Sequence, residues 1–311
     1  MNRSLRSDRI KFRLLSLVAL VGIGFVWSQA KPVVDHQRQK RAATLAAEAD
    51  SIKNSDAEKG IADLYLARAL DGGNHDYSNR LADRLIVAGR PDEAISVLAR
   101  LPVGESALRI AQIQFDGRDY RVSLKTLTGV DSDSNDPGVF RLEAMNHLEL
   151  GELDSAIKAG KQAYDLNSGP ESSVILGLSY AIASNTTDLN VFMGSVGSPE
   201  ALQKLKRASS SNTALAQEVY ALGLVNSAGR ILDGKLTDSQ AYVLMAEAKL
   251  ATKPNQATLK ELIGTLGQGI DKDPGNLLLH QLRREVAEKT GDRGVVDHEK
   301  QLIEQLQSGR V

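Results

Sequence analysis

Cysteine is absent from the 311 residues. That absence excludes disulfides, thiolate metal sites, a cysteine nucleophile and a lipid anchor on an N-terminal Cys, and it suits an oxidising or a reducing compartment equally. Aromatic residues make up only 4%. The core must therefore be built from Leu, Ala, Ile and Val, a composition that favours packed helices over a β-sandwich. Charge of one sign is also lacking, since 38 Lys and Arg stand against 39 Asp and Glu, for a formal net charge of -1. Without a global basic field, nucleic acid is not an expected partner. No G-x-x-x-x-G-K-[ST] or G-x-S-x-G run occurs, which leaves nucleotide hydrolysis and α/β-hydrolase chemistry without support. Length is not lacking: the chain suffices for two average domains or one extended repeat array.

The long uncharged apolar run is Leu14 to Trp27, preceded by a basic tail over residues 1–13 that carries Arg3, Arg6, Arg9, Lys11 and Arg13. Two readings compete. Extended to Ala30, the run reaches the ~17 residues that can span hydrocarbon, while its strictly apolar part is short enough for a signal-peptide core. Ser28-Gln29-Ala30 has the small-x-small form of a cleavage site. Trp27 stands where an interfacial aromatic belongs, and Lys31, Arg38, Lys40 and Arg41 form a second basic cluster suited to headgroups. The leading expectation is an uncleaved single-pass anchor over residues 14–30, with Leu14, Leu20, Phe25 and Trp27 in the membrane. The short tail would lie in the cytoplasm, residues 31–42 would form a basic stem, and the body would lie outside the cytoplasm.

From Ala42 onward, stretches of helical periodicity alternate with Gly, Asn, Asp and Pro punctuation, with almost no strand alternation. Aligning Ala62, Ala94, Ser123 and Ala156 gives steps of 32, 29 and 33 residues. A period near 33 with helix-turn-helix content indicates a solenoid. In the unit from Phe140, Ala144 is small where helices cross, Gly151 ends the first helix, and Ala156 and Ala163 share one face of the second. The next unit contains Leu176-Gly177-Leu178-Ser179-Tyr180. Asp273-Pro274 closes a later unit.

These residues resemble the tetratricopeptide repeat, whose L-G-x-x-Y run and small helix-crossing residues they match. The resemblance covers most of residues 43 to 290 and is weakest near 184–211, a stretch rich in Asn, Gly and Ser. The family's first-helix Trp is missing from every unit. It implies an all-α tetratricopeptide-like solenoid over residues 43–311, with six to eight helix pairs and a capping helix from about Asp297 to Gln307. Arg283, Arg284, Glu285, Glu288 and Lys289 make the last helices polar, as in a capped monomer.

In that family the first helices line a groove. Carried over position by position, the groove candidates are Asn79, Asp83, Gln112, Arg141 and Met145. They would contact a protein or peptide partner, and the mixed charge of the set argues against a dedicated acidic-peptide clamp of the kind found in some chaperone-binding members of the family. The expected function is a membrane-anchored scaffold or adaptor outside the cytoplasm, in envelope assembly or a chaperone-like role. The alternatives are a secreted binder cleaved near Ala30 and, ranked lower, an accessory subunit of an enzyme complex.

No enzyme activity, cofactor, metal or small-molecule substrate is expected. His36, His75, His147, His280 and His298 have no i,i+3 or i,i+4 pairing and read as surface or loop residues. Asp131-Ser132-Asp133-Ser134-Asn135-Asp136 alternates oxygen ligands as a calcium loop does, yet lacks the Gly at position six and the Glu at position twelve. It reads as a polar turn. Asn185-Thr186-Thr187 matches a glycosylation sequon.

Overall fold

The computed structural model describes residues 31–52, 56–130, 135–184, 186–196 and 200–309. The anchor candidates Leu14, Leu20, Phe25 and Trp27, the acidic turn 131–134 and Asn185 of the sequon lie outside them. Among the described residues every regular element is a helix, and no helix is long and apolar enough to cross a membrane. The chain divides into two compact units, one ending at Ile113 and one beginning at Gln114.

The first unit holds α1 (31–51), α2 (Ala57–Leu70), α3 (His75–Val87), α4 (Pro91–Leu98) and most of α5 (Val103–Asp116). Residues 31–41 of α1 are almost wholly exposed, and Ala42, Ala46 and Ala49 then turn one face inward. They meet Ile61, Leu64 and Ala67 of α2 and Leu81 and Leu85 of α3 in one apolar cluster that extends to Val97, Leu98 and Ile113. The spacing of these positions, three and four apart, is the helical apolar stripe. Carbonyls at the end of α1 accept from α3: Arg80 donates to Ala46 O, and Arg84 donates to Ala49 O and Ile52 O. The arginines thus add side-chain donors to the last turns of α1, where Ala49 O also accepts from Ile52 N–H at 3.2 Å and the helix's own donors run out.

The second unit contains α6 (Tyr120–Leu127), α7 (Pro137–Leu150), α8 (Leu153–Leu166), α9 (Pro170–Ile182), α10 (Thr186–Val196), α11 (Glu200–Ala208), α12 (Asn212–Ala221), α13 (Val225–Leu232), α14 (Ser239–Ala251), α15 (Gln256–Lys272), α16 (Leu277–Thr290) and α17 (Arg293–Ser308). Successive helices pair, and first helices also pack on first helices: α7 on α9, α12 on α14, α14 on α16. Both α10 and α11 pack on α9, so the stretch 184–211 carries one helix more than a simple pair. The final helix starts four residues before the expected Asp297, because Asp292 caps it by accepting from Val295 N–H at 3.2 Å.

The repeat register is visible in the fourth residue of the second helices. In α4, α6 and α8 this is Ala94, Ser123 and Ala156, each fully buried, and in α13 it is Ala228, also fully buried. In α2 it is Gly60, not Ala62, which is exposed. The register from sequence was therefore off by two residues in that helix, and the reason is physical. The Arg84 guanidinium, which donates to Ala49 O and Ile52 O, lies where a Cβ on Gly60 would come within 2.9 Å of Nη1, so any larger residue there would have to displace it. Close approach also fixes Gly269, whose added Cβ would stand 2.9 Å from Cβ of Tyr242.

Candidate functional site

The first helices carry the residues expected to face a partner, and the structure gives most of them partners within the chain. Asp83 of α3 is paired with Arg109 of α5, and His75 Nδ1 stands 2.6 Å from Glu105 Oε2 between the same two helices. Asn79 is half-buried, with its Oδ1 buried and without a hydrogen-bond partner. Gln112 is exposed on α5. In the second unit, Arg141 of α7 reaches Glu171 of α9 at 2.9 Å, Met145 is half-buried one turn further on, and Lys204 of α11 meets Glu218 of α12 at 2.8 Å. Asn79, Asp83 and Gln112 thus belong to the first unit, and Arg141 and Met145 to the second. A recurring pattern emerges in which charged residues lash one first helix to the next. Each exposed pair contributes at most ~1 kcal/mol, so their effect is to hold side chains in place more than to stabilise the fold.

A polar knot that sequence reading missed holds α13 against α7. Glu149, in the last turn of α7, is 1% exposed. Its carboxylate accepts from Asn226 N–H and Ser227 N–H at 3.0 Å each and from the Tyr120 hydroxyl at 2.8 Å. No side chain of its own caps α13, so Glu149 occupies the N-cap role from another helix, where the macrodipole favours an anion. The exchange is reciprocal. Ser227 Oγ donates to Leu148 O at 2.9 Å, Arg230 Nη1 donates to Glu149 O at 3.1 Å, and Arg230 also donates to Leu148 O. These carbonyls lie in the last turn of α7, where helix acceptors run short of donors; Leu148 O also accepts from Gly151 N–H at 3.0 Å. Gly151 ends α7 with φ of 78°, and an added Cβ there would stand 3.5 Å from Arg230 Nε. Burial, then the neighbouring Glu149, pushes the Tyr120 phenol well above its usual pKa, and burial pulls the Arg230 guanidinium below its own.

A second knot closes the C-terminal end. His280 is 2% exposed, with Nδ1 2.6 Å from Glu299 Oε2 and Nε2 3.0 Å from Pro274 O, while Arg283 Nη1 donates to Glu299 Oε1 at 2.7 Å. This corrects the expectation of surface histidines, because a buried imidazole is retained where both ring nitrogens find polar partners. Local sequence carries no trace of either knot: Glu149 and Ser227 are 78 positions apart, His280 and Glu299 19 apart. Among the described residues no group of three or more His, Asp or Glu side chains is placed to hold a metal ion.

No family model matches the chain, and no curated protein does. Similar solved structures include a tetratricopeptide repeat protein from Parabacteroides merdae ATCC 43184, at 11% identity and TM-score 0.47, covering 79% of this chain and 99% of that one. Others are yeast Tom70, at 16% identity and TM-score 0.39 over 81% of this chain and 55% of that one, and the Cut9-Hcn1 hetero-tetramer of the APC/C, at 14% and 0.39 over 84% and 45%.

Proposed function

We propose that this protein is a scaffold that holds a protein partner on the first-helix faces of its units, tethered to a membrane by residues 14–30 with the helical body outside the cytoplasm. The observation that supports the scaffold reading best is the lashing of first helix to first helix, Asp83 to Arg109 and Arg141 to Glu171. Side chains held before a partner arrives lose less freedom on binding, which is where preorganised surfaces gain affinity. The tether rests on the basic tail, the uncharged run to Trp27 and the following basic cluster.

Crosslinking and affinity capture with the full-length protein in native membranes, with the mass of its N-terminus read in the same sample, tests both parts. One recurrent partner recovered with an intact N-terminus, and lost on changing Asn79, Asp83 and Arg141 together to Ala, is the expected result. A mature chain beginning at Lys31 would make it a released binder, the reading that Ser28-Gln29-Ala30 favours. Recovery unchanged by the triple substitution would remove the first-helix faces from the account.

A further inference from the structure

On the first unit, α3 packs against both α2 and α4, and an open cleft of about 490 Å³ lies between α2 and α4, lined by none of the residues expected on the first-helix face. Tyr65 and Arg68 line it from α2, Ser96 and Val97 from α4, and Arg100 from just beyond α4. Only one carboxylate is present in its walls, that of Glu93. Both its oxygens are taken by Arg90, with Nε at 2.6 Å and Nη2 at 2.7 Å, and Arg90 also donates to Glu58 at 3.0 Å. That bidentate grip holds the Glu93 carboxyl below its ordinary pKa, the hydrogen bond from Arg90 being the main cause. Arg68 and Arg100 are different: neither has an ion-pair partner among the described residues. The cleft therefore has two uncommitted guanidinium groups, two hydroxyls and an aromatic ring 37% exposed.

We propose that this cleft, with Arg68 on one wall and Arg100 on the other, binds the carboxylates of an acidic, extended segment of a protein partner. Guanidinium forks match carboxylates two bonds at a time. The cleft is open to solvent, and the exposed Tyr65 supplies apolar contact beside the charges. The choice of a protein as occupant rests on the scaffold reading, and this surface is separate from the one that reading uses.

Fluorescence anisotropy of a labelled ten-residue peptide alternating Asp and Ser, with full-length protein in detergent, tests the proposal. The expected result is saturable binding that weakens at least about tenfold in Arg68→Gln/Arg100→Gln, recovers in part in Arg68→Lys/Arg100→Lys, and is unchanged in Asn79→Ala/Asp83→Ala/Arg141→Ala. Circular dichroism on each variant confirms retained helix content, and should the Gln pair unfold, the single Arg100→Gln variant at its exposed position carries the test. Equal binding by wild type and the Gln pair overturns the proposal. So does displacement of the peptide by inorganic tripolyphosphate at concentrations far below those of unlabelled peptide, which would make the cleft a small-polyanion site. Failure of the scaffold reading looks different: no partner is captured from membranes by wild type or by either set of variants.

Discussion

In the unit ending at Ile113 the buried polar side chains are Ser78 and Ser106 alone among the described residues, and the arginines Arg80 and Arg84 satisfy the end of α1 from positions that stay in reach of water. In the unit from Gln114 the interior contains Asn146, Glu149, His280 and Glu299, with side chains of Glu149 and Glu299 almost entirely removed from solvent. The difference teaches what a helical array needs in order to hold a contact beyond its nearest neighbours. Apolar stripes between successive helices define a pair but not which distant helix returns to it. The contact of α13 with α7 is specified instead by an acceptor that fits two backbone N–H groups and by two donors that fit two carbonyls. A buried polar group left unpaired is costly, so the matched arrangement is favoured over shifted ones.

Glu149→Ala breaks this comparison most severely. It strands two N–H donors and the Tyr120 hydroxyl in the interior, with an expected loss of about 3–5 kcal/mol in urea unfolding. Leu81→Ala in the first unit, at a fully buried site, is expected to cost about 2–5 kcal/mol by transfer and cavity formation, measured by urea unfolding. Overpacking probes the second unit differently: Gly269→Ala forces Tyr242 aside and is expected to cost about 1–3 kcal/mol, measured by thermal unfolding.

Smaller effects sharpen the contrast. Asp238 caps α14, accepting from Ala241 N–H at 2.9 Å and from the Thr213 and Thr237 hydroxyls. Burial pushes its carboxyl up, yet these hydrogen bonds outweigh that and set its pKa below the ordinary aspartate value. Asp238→Ala is expected to cost about 0.5–2 kcal/mol at neutral pH. Because the folded pKa lies below the unfolded one, near ~3.9, the charged cap's contribution is complete above that value and disappears as pH falls through the folded pKa. Urea titrations at a series of pH values should show wild type and variant converging on the acid side only. Asp83→Ala, which removes one exposed ion pair, is expected to change stability by less than ~1 kcal/mol while still weakening partner capture.

Much of the fold was legible because its signals are local. Gly151 ends α7 in the left-handed region as its place after an apolar run implied, and Ala94, Ala144, Ala156 and Ala163 are buried small residues at helical spacing. Gly177 of the L-G-x-x-Y run is held to glycine by Leu202, whose Cδ2 would lie 2.6 Å from an added Cβ. Long-range polar matches were not legible. Nothing next to Glu149 distinguishes it from an exposed charge at the end of a helix, since Tyr120 lies 29 residues before it and its backbone donors, Asn226 and Ser227, lie beyond α8 to α12. His280 was misread for the same reason. The stretch 184–211 lost the repeat pattern where the chain inserts α11, whose strong amphipathic pattern serves α9 and α12 together.

Hydrogen exchange with mass spectrometry on wild type and Glu149→Gln tests most directly whether one buried carboxylate fixes α13 on α7. The amide changes the acceptor pair without removing the side chain, so helices far from it should keep their protection. The account predicts faster exchange, by about tenfold or more, across residues 225–232 and the last turn of α7, with the first unit unchanged. Equal protection of residues 225–232 in the two proteins would contradict it.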